Sequence, residues 1–109
     1  MELGIGVTEV DGWTVVGASG ELDLYTSPTL RTAIHDAATP GAKIAVDLTD
    51  VSFIDSSGLG AIVGALKHVR ELDGSFAVVA PDDGPLSRLL TLTGLDQIVH
   101  PVNDREALG

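Results

Sequence analysis

The amino-acid sequence predicts an α/β fold built on a mixed sheet whose strands alternate with amphipathic helices. Short apolar runs of strand length recur along the chain, and between them apolar residues repeat at helical spacing. Glycine and proline stand between these segments and mark turns. Such alternation is typical of a sheet with parallel crossovers, here preceded by an antiparallel hairpin. The length of 109 residues fits a single domain spanning residues 1–109.

The first two predicted strands form the hairpin. Residues 3–10 alternate apolar side chains with small or polar ones, as a half-buried strand does. Asp11-Gly12 is a strong signal for a tight hairpin turn. We therefore expect residues 13–19 to return as the second strand, and Gly20 to end it.

The first predicted helix begins where a hydroxyl residue precedes proline. Ser27 is the expected N-cap, with Pro28 at the first helical position. An apolar stripe at helical spacing follows, and Pro40-Gly41 ends the helix. Residues 43–48 are a short apolar run, which we interpret as a central strand that gives way to a polar stretch.

The second predicted helix carries an apolar stripe over residues 59–69. Gly74 stands where a helix commonly places a left-handed residue just after its C-terminus. Residues 75–80 are again apolar and predict another strand.

The last quarter of the chain predicts three short elements. A third helix covers residues 86–93 and ends at Gly94. Ile98-Val99 is expected to form a brief strand. Asn103, with Glu106 three residues later, resembles a capping box and predicts a final short helix.

Composition and charge exclude several classes of function. Sixteen acidic residues face six basic ones, for a net charge of -10, so the chain lacks the basic stripe that nucleic-acid binding needs. The same charge opposes docking on anionic lipid, and no apolar run is long enough to span a membrane. There is no cysteine for disulfides or thiol chemistry. We expect no signal peptide, because the first residues lack a basic region followed by a long apolar run. We expect a cytoplasmic protein with neither nucleic-acid nor membrane partners.

The sequence offers no clear catalytic, cofactor or metal site. His35, His68 and His100 are far apart along the chain and lack ligand spacing, so each is expected to be a surface or packing residue. Gly58 and Gly60 lack the further glycines and the lysine of a nucleotide loop. We predict no catalytic residue, no cofactor and no metal ligand.

The most informative segment spans residues 51–60, between a buried strand and a helix. In α/β folds such a junction is where ligand sites lie, and a helix N-terminus favours an anion. Two hydroxyls at the predicted helix start, on Ser56 and Ser57, stand where a phosphoryl group could be held by free N–H groups. The alternative is ordinary helix capping, with Gly58 and Gly60 easing a tight turn or close packing.

A second segment, residues 20–28, joins the second strand to the first helix. It carries two carboxylates, Glu21 and Asp23, together with Tyr25. One interpretation is a solvated loop whose acidic residues favour the coming helix N-terminus. The other is a partner-docking loop that lies near the Ser56 turn.

Together, and in this order, these segments resemble the STAS domain family, and more narrowly the bacterial anti-sigma factor antagonists. The resemblance covers nearly the whole chain. The matching pieces are Gly20-Glu-Leu-Asp23, Tyr25-Thr-Ser-Pro-Thr-Leu-Arg31, Asp47-Leu-Thr-Asp-Val-Ser-Phe-Ile-Asp-Ser-Ser-Gly-Leu-Gly60 and Leu92-Thr-Gly-Leu95. It implies a mixed sheet of about four or five strands, with about four helices mainly on one face.

The resemblance also implies a non-enzymatic role in partner switching. In that scheme the unmodified domain binds an anti-sigma factor that is itself a serine kinase, which frees the sigma factor for transcription. The kinase then phosphorylates the antagonist, the complex separates, and a serine phosphatase reverses the modification.

By family position Ser56 is the expected phosphorylation site, and Ser57 is the runner-up. The expected partner-binding residues are Glu21, Asp23, Asp55, Ser57 and Gly58. Two other hypotheses stay open. One is a non-switching STAS scaffold, such as a subunit of a transport or sensory assembly. The other is a small enzyme using the Asp55-Ser56 region, for which the sequence offers no positioned histidine.

Overall fold

The computed structural model describes residues 3–99 and 101–108. These residues form four β-strands, four α-helices and a C-terminal 3-10 helix. In chain order they are β1 (Gly4–Val10), β2 (Trp13–Leu22), α1 (Ser27–Ala37), β3 (Lys43–Ile54), α2 (Ser56–Glu71), β4 (Ser75–Val79), α3 (Pro85–Thr93), α4 (Asp96–Val99) and the 3-10 helix (Arg105–Leu108).

The four strands form one mixed sheet in the order β1-β2-β3-β4. The β1–β2 pair is antiparallel and the other two pairs are parallel, which confirms the predicted hairpin and crossovers. The hairpin turn has positive φ at both Asp11 and Gly12, the conformation that a two-residue turn matching the strand twist requires. The register places Val16, Val46 and Val78 opposite one another across three strands.

The helices cover one face of this sheet, as the resemblance implied. That face holds the main core, where strand residues such as Val46 pack with Leu30 and Ile34 of α1, Ile62 and Leu66 of α2, and Leu90 of α3. Because side chains alternate across a strand, Val15, Ala45, Ala77 and Val79 point to the opposite face. There the C-terminal segment covers them with Val102 and Leu108.

The second and third strands are longer than the sequence predicts. Gly20 does not end β2: its φ of 105° accompanies a register shift, after which Leu22 still pairs with Ile54. The polar stretch after residue 48 is likewise strand, with its polar side chains exposed. Pairing between the two extensions satisfies their backbone groups, and that pairing outweighs the local composition.

The start of α1 and the end of α2 each differ by one residue from the prediction. The N-cap of α1 is Thr26, so Ser27 is already helical and Pro28 is the second helical residue. After α2 the left-handed residue is Asp73, with φ of 59°, and not Gly74. The Gly74 N–H instead bonds the Val69 carbonyl at 2.9 Å, which closes a Schellman-type cap.

The C-terminal quarter holds two further corrections. Ile98 and Val99 are not a strand but part of α4, because their N–H groups bond back to the Leu95 carbonyl. The strand-like contact comes later, where Val102 forms an isolated parallel bridge with Val79.

The capping box predicted at Asn103 is also wrong. The Asn103 side chain accepts a hydrogen bond from the Asp82 N–H at 2.9 Å, so it holds the preceding loop. Asp104 caps the 3-10 helix by accepting from the Ala107 N–H at 3.1 Å. The helix cap is therefore the carboxylate of Asp104 and not, as the sequence pattern predicts, the side-chain amide of Asn103.

Candidate functional site

The candidate site lies at the carboxyl ends of β2 and β3, where α1 and α2 begin. Leu22 and Ile54 are the last paired residues of these strands. The Asp55 N–H then donates to the Leu22 carbonyl at 3.2 Å, so the two following turns start side by side. The structure therefore brings both predicted segments to one edge of the sheet, which holds Glu21, Asp23, Asp55, Ser56, Ser57 and Gly58.

Asp55 is the N-cap of α2. Its backbone is extended, and its Oδ1 accepts hydrogen bonds from the N–H groups of Ser57 at 2.8 Å and Gly58 at 3.0 Å. Within residues 3–99 and 101–108, neither the Ser56 nor the Ser57 hydroxyl makes a hydrogen bond. Helix capping thus accounts for the aspartate and leaves both serine hydroxyls without that role.

The two serines differ in accessibility. Ser56 is the first residue of α2 and is exposed, whereas Ser57 is half-buried. Two N–H groups of the helix start, those of Ser57 and Gly58, already donate to Asp55 Oδ1. A phosphoryl group on Ser56 would therefore stand next to a carboxylate that already accepts from these two donors.

Gly58 sets the distance between α2 and the sheet. A Cβ at this position would lie 2.7 Å from the Leu22 carbonyl oxygen and 2.7 Å from Ile54 Cγ1. Gly58 is buried, so its role in the structure is close packing within the chain. Gly60 is different: it is exposed, and a Cβ there would meet nothing within 4 Å.

Asp23 organises the neighbouring turn. Its Oδ1 accepts from the N–H groups of Tyr25 at 2.9 Å and Thr26 at 3.0 Å, and the Thr26 N–H makes the largest contribution to lowering the pKa of Asp23. The Thr26 hydroxyl donates to the Glu21 carbonyl at 2.7 Å and accepts from the Asp23 N–H at 2.9 Å. The residues that lead into α1 are thus a fixed turn rather than a loosely solvated loop.

Apolar side chains surround these polar groups. Tyr25 is 87% exposed, Leu24 64% and Phe53 51%. Phe53 pairs with Glu21 across β2 and β3, next to the Asp55 turn. We call this region the edge surface, defined by Glu21, Asp23, Leu24, Tyr25, Phe53, Asp55 and Ser56. Sequence reasoning missed Leu24 and Phe53; the available signal was large apolar residues beside the two motifs.

The described residues contain no group of three or more side chains arranged to hold a metal ion. Two of the three histidines meet although they lie far apart along the chain. The rings of His35 and His68 stack with centroids 4.5 Å apart and an interplanar angle of 15°. His100 lies outside the described residues. None of the described helices combines the length and the apolar character needed to cross a membrane.

Comparison with known proteins gives concordant results. Residues 5–108 match the model of the STAS domain. The anti-sigma-B factor antagonist of Bacillus subtilis is 35% identical over 99 residues, which cover 91% of this chain and 90% of the relative. The crystal structure of an anti-sigma factor antagonist from Mycobacterium paratuberculosis superposes with a TM-score of 0.80 at 33% identity, covering 94% of this chain and 86% of that one.

A third similarity is to the Bacillus cell fate determinant SpoIIAA, solved in its phosphorylated form. The TM-score is 0.69 at 25% identity, and the match covers 96% of each chain. The proteins named in these comparisons are regulatory antagonists and not enzymes.

Proposed function

This chain belongs to the STAS domain family, and from that premise we propose that it is an anti-sigma factor antagonist switched by phosphorylation of Ser56. In its unphosphorylated form it binds an anti-sigma factor that is a serine kinase, and this binding releases the sigma factor. Phosphorylation abolishes binding, and a serine phosphatase restores it. Relatives named as antagonists, one of them solved phosphorylated, support this proposal.

The observation that carries the proposal is the state of the Ser56 side chain. Its hydroxyl is exposed at the start of α2, and Asp55 already provides the cap. The hydroxyl is accessible to a kinase and is not needed to hold the turn. Ser57 is a weaker candidate, because its side chain is half-buried against the same helix start.

The edge surface has the composition of a protein-binding site. Exposed aromatic side chains, here Tyr25 and Phe53, are the groups that most often contribute binding energy at interfaces. Carboxylates of Glu21, Asp23 and Asp55 lie among them and suit a basic partner. The kinase would cover the edge surface in the complex.

Electrostatics explains how one phosphoryl group would separate the partners. Phosphorylation adds a charge of about -1.5 to -2 at neutral pH. The Ser57 and Gly58 N–H groups already donate to Asp55, so these two donors are not free to compensate this charge. Burying it in an interface beside a carboxylate is costly, and a tenfold loss of affinity needs only about 1.4 kcal/mol.

The test uses the native cells that make this protein. We would capture partners with wild-type, Ser56→Ala, Ser56→Asp and Ser57→Ala baits, then add ATP and measure intact mass and release. We expect the captured kinase to add one phosphoryl group to wild type and to Ser57→Ala and then to release both baits. It should stay bound to Ser56→Ala and bind Ser56→Asp poorly. Phosphorylation of Ser56→Ala at the wild-type rate would refute the site. Equal binding of all four baits, with no modification, would favour the non-switching scaffold.

A further inference from the structure

A cleft of about 290 Å³ opens between α1 and α2, on the helical side of the domain. Its floor is apolar and shallow, formed by Ile34, Ala61 and Gly64. Its rim is formed by Arg31, His35 and His68. The volume is at the lower end of the range found for small-molecule sites, about 300–1,000 Å³.

The rim carries the fixed positive charge of Arg31, in a chain that has few basic residues. Only six lysines and arginines oppose sixteen acidic residues. In the part of the chain that the structure describes, the one ion pair is between Arg105 and Asp47, so Arg31 has no carboxylate partner there. A guanidinium over an apolar floor is suited to bind a carboxylate through paired hydrogen bonds.

The two histidines place a pair of aromatic rings at the rim of the same cleft. His35 comes from α1 and His68 from α2, and their rings stack nearly parallel at 4.5 Å. Each lies in the last turn of its helix. Aromatic rings attract a further aromatic ring through offset-stacked or edge-to-face contacts.

The floor stays open because Gly64 carries no side chain. A Cβ at Gly64 would meet nothing within 4 Å, so no neighbouring group in the described chain requires glycine there. Glycine inside a helix lowers stability by about 0.5–1 kcal/mol relative to alanine. Glycine at position 64 therefore leaves the floor of the cleft open.

We propose that this cleft binds a small planar organic carboxylate. The carboxylate pairs with Arg31, and the planar body rests on the Ile34–Gly64 floor beside the stacked imidazoles. The chemistry follows from the three parts of the cleft: one fixed cation, an apolar floor and a pair of aromatic rings. The proposal does not depend on the antagonist role of the edge surface.

The test is a titration of the full chain with benzoate, followed by amide and imidazole NMR shifts. Benzamide has the same shape without charge, acetate has the charge without the ring, and cyclohexanecarboxylate is not planar. We expect benzoate to give saturable shifts at Gly64, Ala61 and both rings, and each comparison compound to bind at least about tenfold more weakly.

Two variants locate the site. Arg31→Met keeps the length of the side chain and should weaken benzoate at least about tenfold, while Gly64→Leu fills the cleft and should abolish binding. A Cβ at position 64 meets nothing within 4 Å and leucine favours a helix, so that variant should fold. Arg88→Met, at an exposed arginine of α3, should bind as wild type does. Equal binding of benzoate and benzamide, or undiminished binding by either cleft variant, would overturn the proposal, as would the absence of saturable shifts.

Discussion

Replacing Gly58 by alanine tests whether close packing at the start of α2 fixes the candidate site. The added methyl group would lie 2.7 Å from the Leu22 carbonyl oxygen, 2.7 Å from Ile54 Cγ1 and 2.8 Å from Leu22 Cγ. The carbonyl belongs to the strand backbone and accepts the Asp55 N–H. It cannot turn away, so α2 and the ends of β2 and β3 must separate.

The chain offers a matched control two residues away. Gly60 is in the same helix, but it is exposed and a Cβ there meets nothing within 4 Å. Alanine at Gly60 should therefore raise the free energy of unfolding by about 0.5–1 kcal/mol. Alanine at Gly58 gains part of the same backbone term but forces overpacking, which typically costs about 1–3 kcal/mol. The two variants should differ in sign.

Urea denaturation followed by far-UV circular dichroism measures both free energies of unfolding. For a domain of this size each kcal/mol also shifts the melting temperature by roughly 4–8 °C. We expect Gly60→Ala to melt above wild type and Gly58→Ala below it. If Gly58→Ala is as stable as Gly60→Ala, then α2 does not depend on that contact and the packing argument fails.

Three further outcomes follow from the same contacts. Asp55→Ala removes the cap of α2 and should lower the free energy of unfolding by about 1 kcal/mol, whereas an alanine at the exposed neighbour Ser56 should change it little; equal losses would show that Ser56 shares the cap. Burial raises the pKa of Asp47, but hydrogen bonds from Thr49 and Arg105 hold it below its ordinary value, so this carboxylate stabilises the fold above about pH 4 and loses its effect as the pH falls through the lowered pKa. Asp47→Asn should flatten that acid limb in a pH series of urea melts, and an unchanged limb would contradict the assignment. Tyr25→Ala, at a side chain that is 87% exposed, should weaken kinase capture at least about tenfold and leave the melting temperature unchanged; a drop in stability with intact binding would remove Tyr25 from the proposed interface.

The strand and helix order follows from sequence because its signals are local. Asp11-Gly12 specifies the hairpin through two positive φ angles, and Gly94 ends α3 with φ of 79°. The errors occur where pairing with a distant segment decides. By sequence alone residues 49–54 have the composition of a loop, but they form strand because residues 19–22 pair with them. Ile98-Val99 has strand composition, yet none of the four strands in the described residues pairs with it.

In the candidate site, too, local features could be predicted from sequence and contacts between distant segments could not. Asp55 and Ser56 are recognisable because a cap and a helix start are local patterns. The stacking of His35 on His68 is invisible in sequence, since the residues are separated by a strand and two turns and meet only when α1 packs on α2. Phe53 joins the edge surface for a similar reason, because its register against Glu21 depends on the shift in pairing between β2 and β3.

At the candidate site, the residues that hold the backbone in place are different from Ser56, the residue proposed to be phosphorylated. Asp55 caps α2, Gly58 fits it against the strands, and the Asp23–Thr26 turn fixes the entry to α1. None of these contacts uses the Ser56 hydroxyl. A charge added there would therefore alter the surface without releasing any bond that holds the fold, so its effect would be measured in affinity for the partner and not in stability. A switch of this kind acts between molecules, and it can be reversed without refolding the domain.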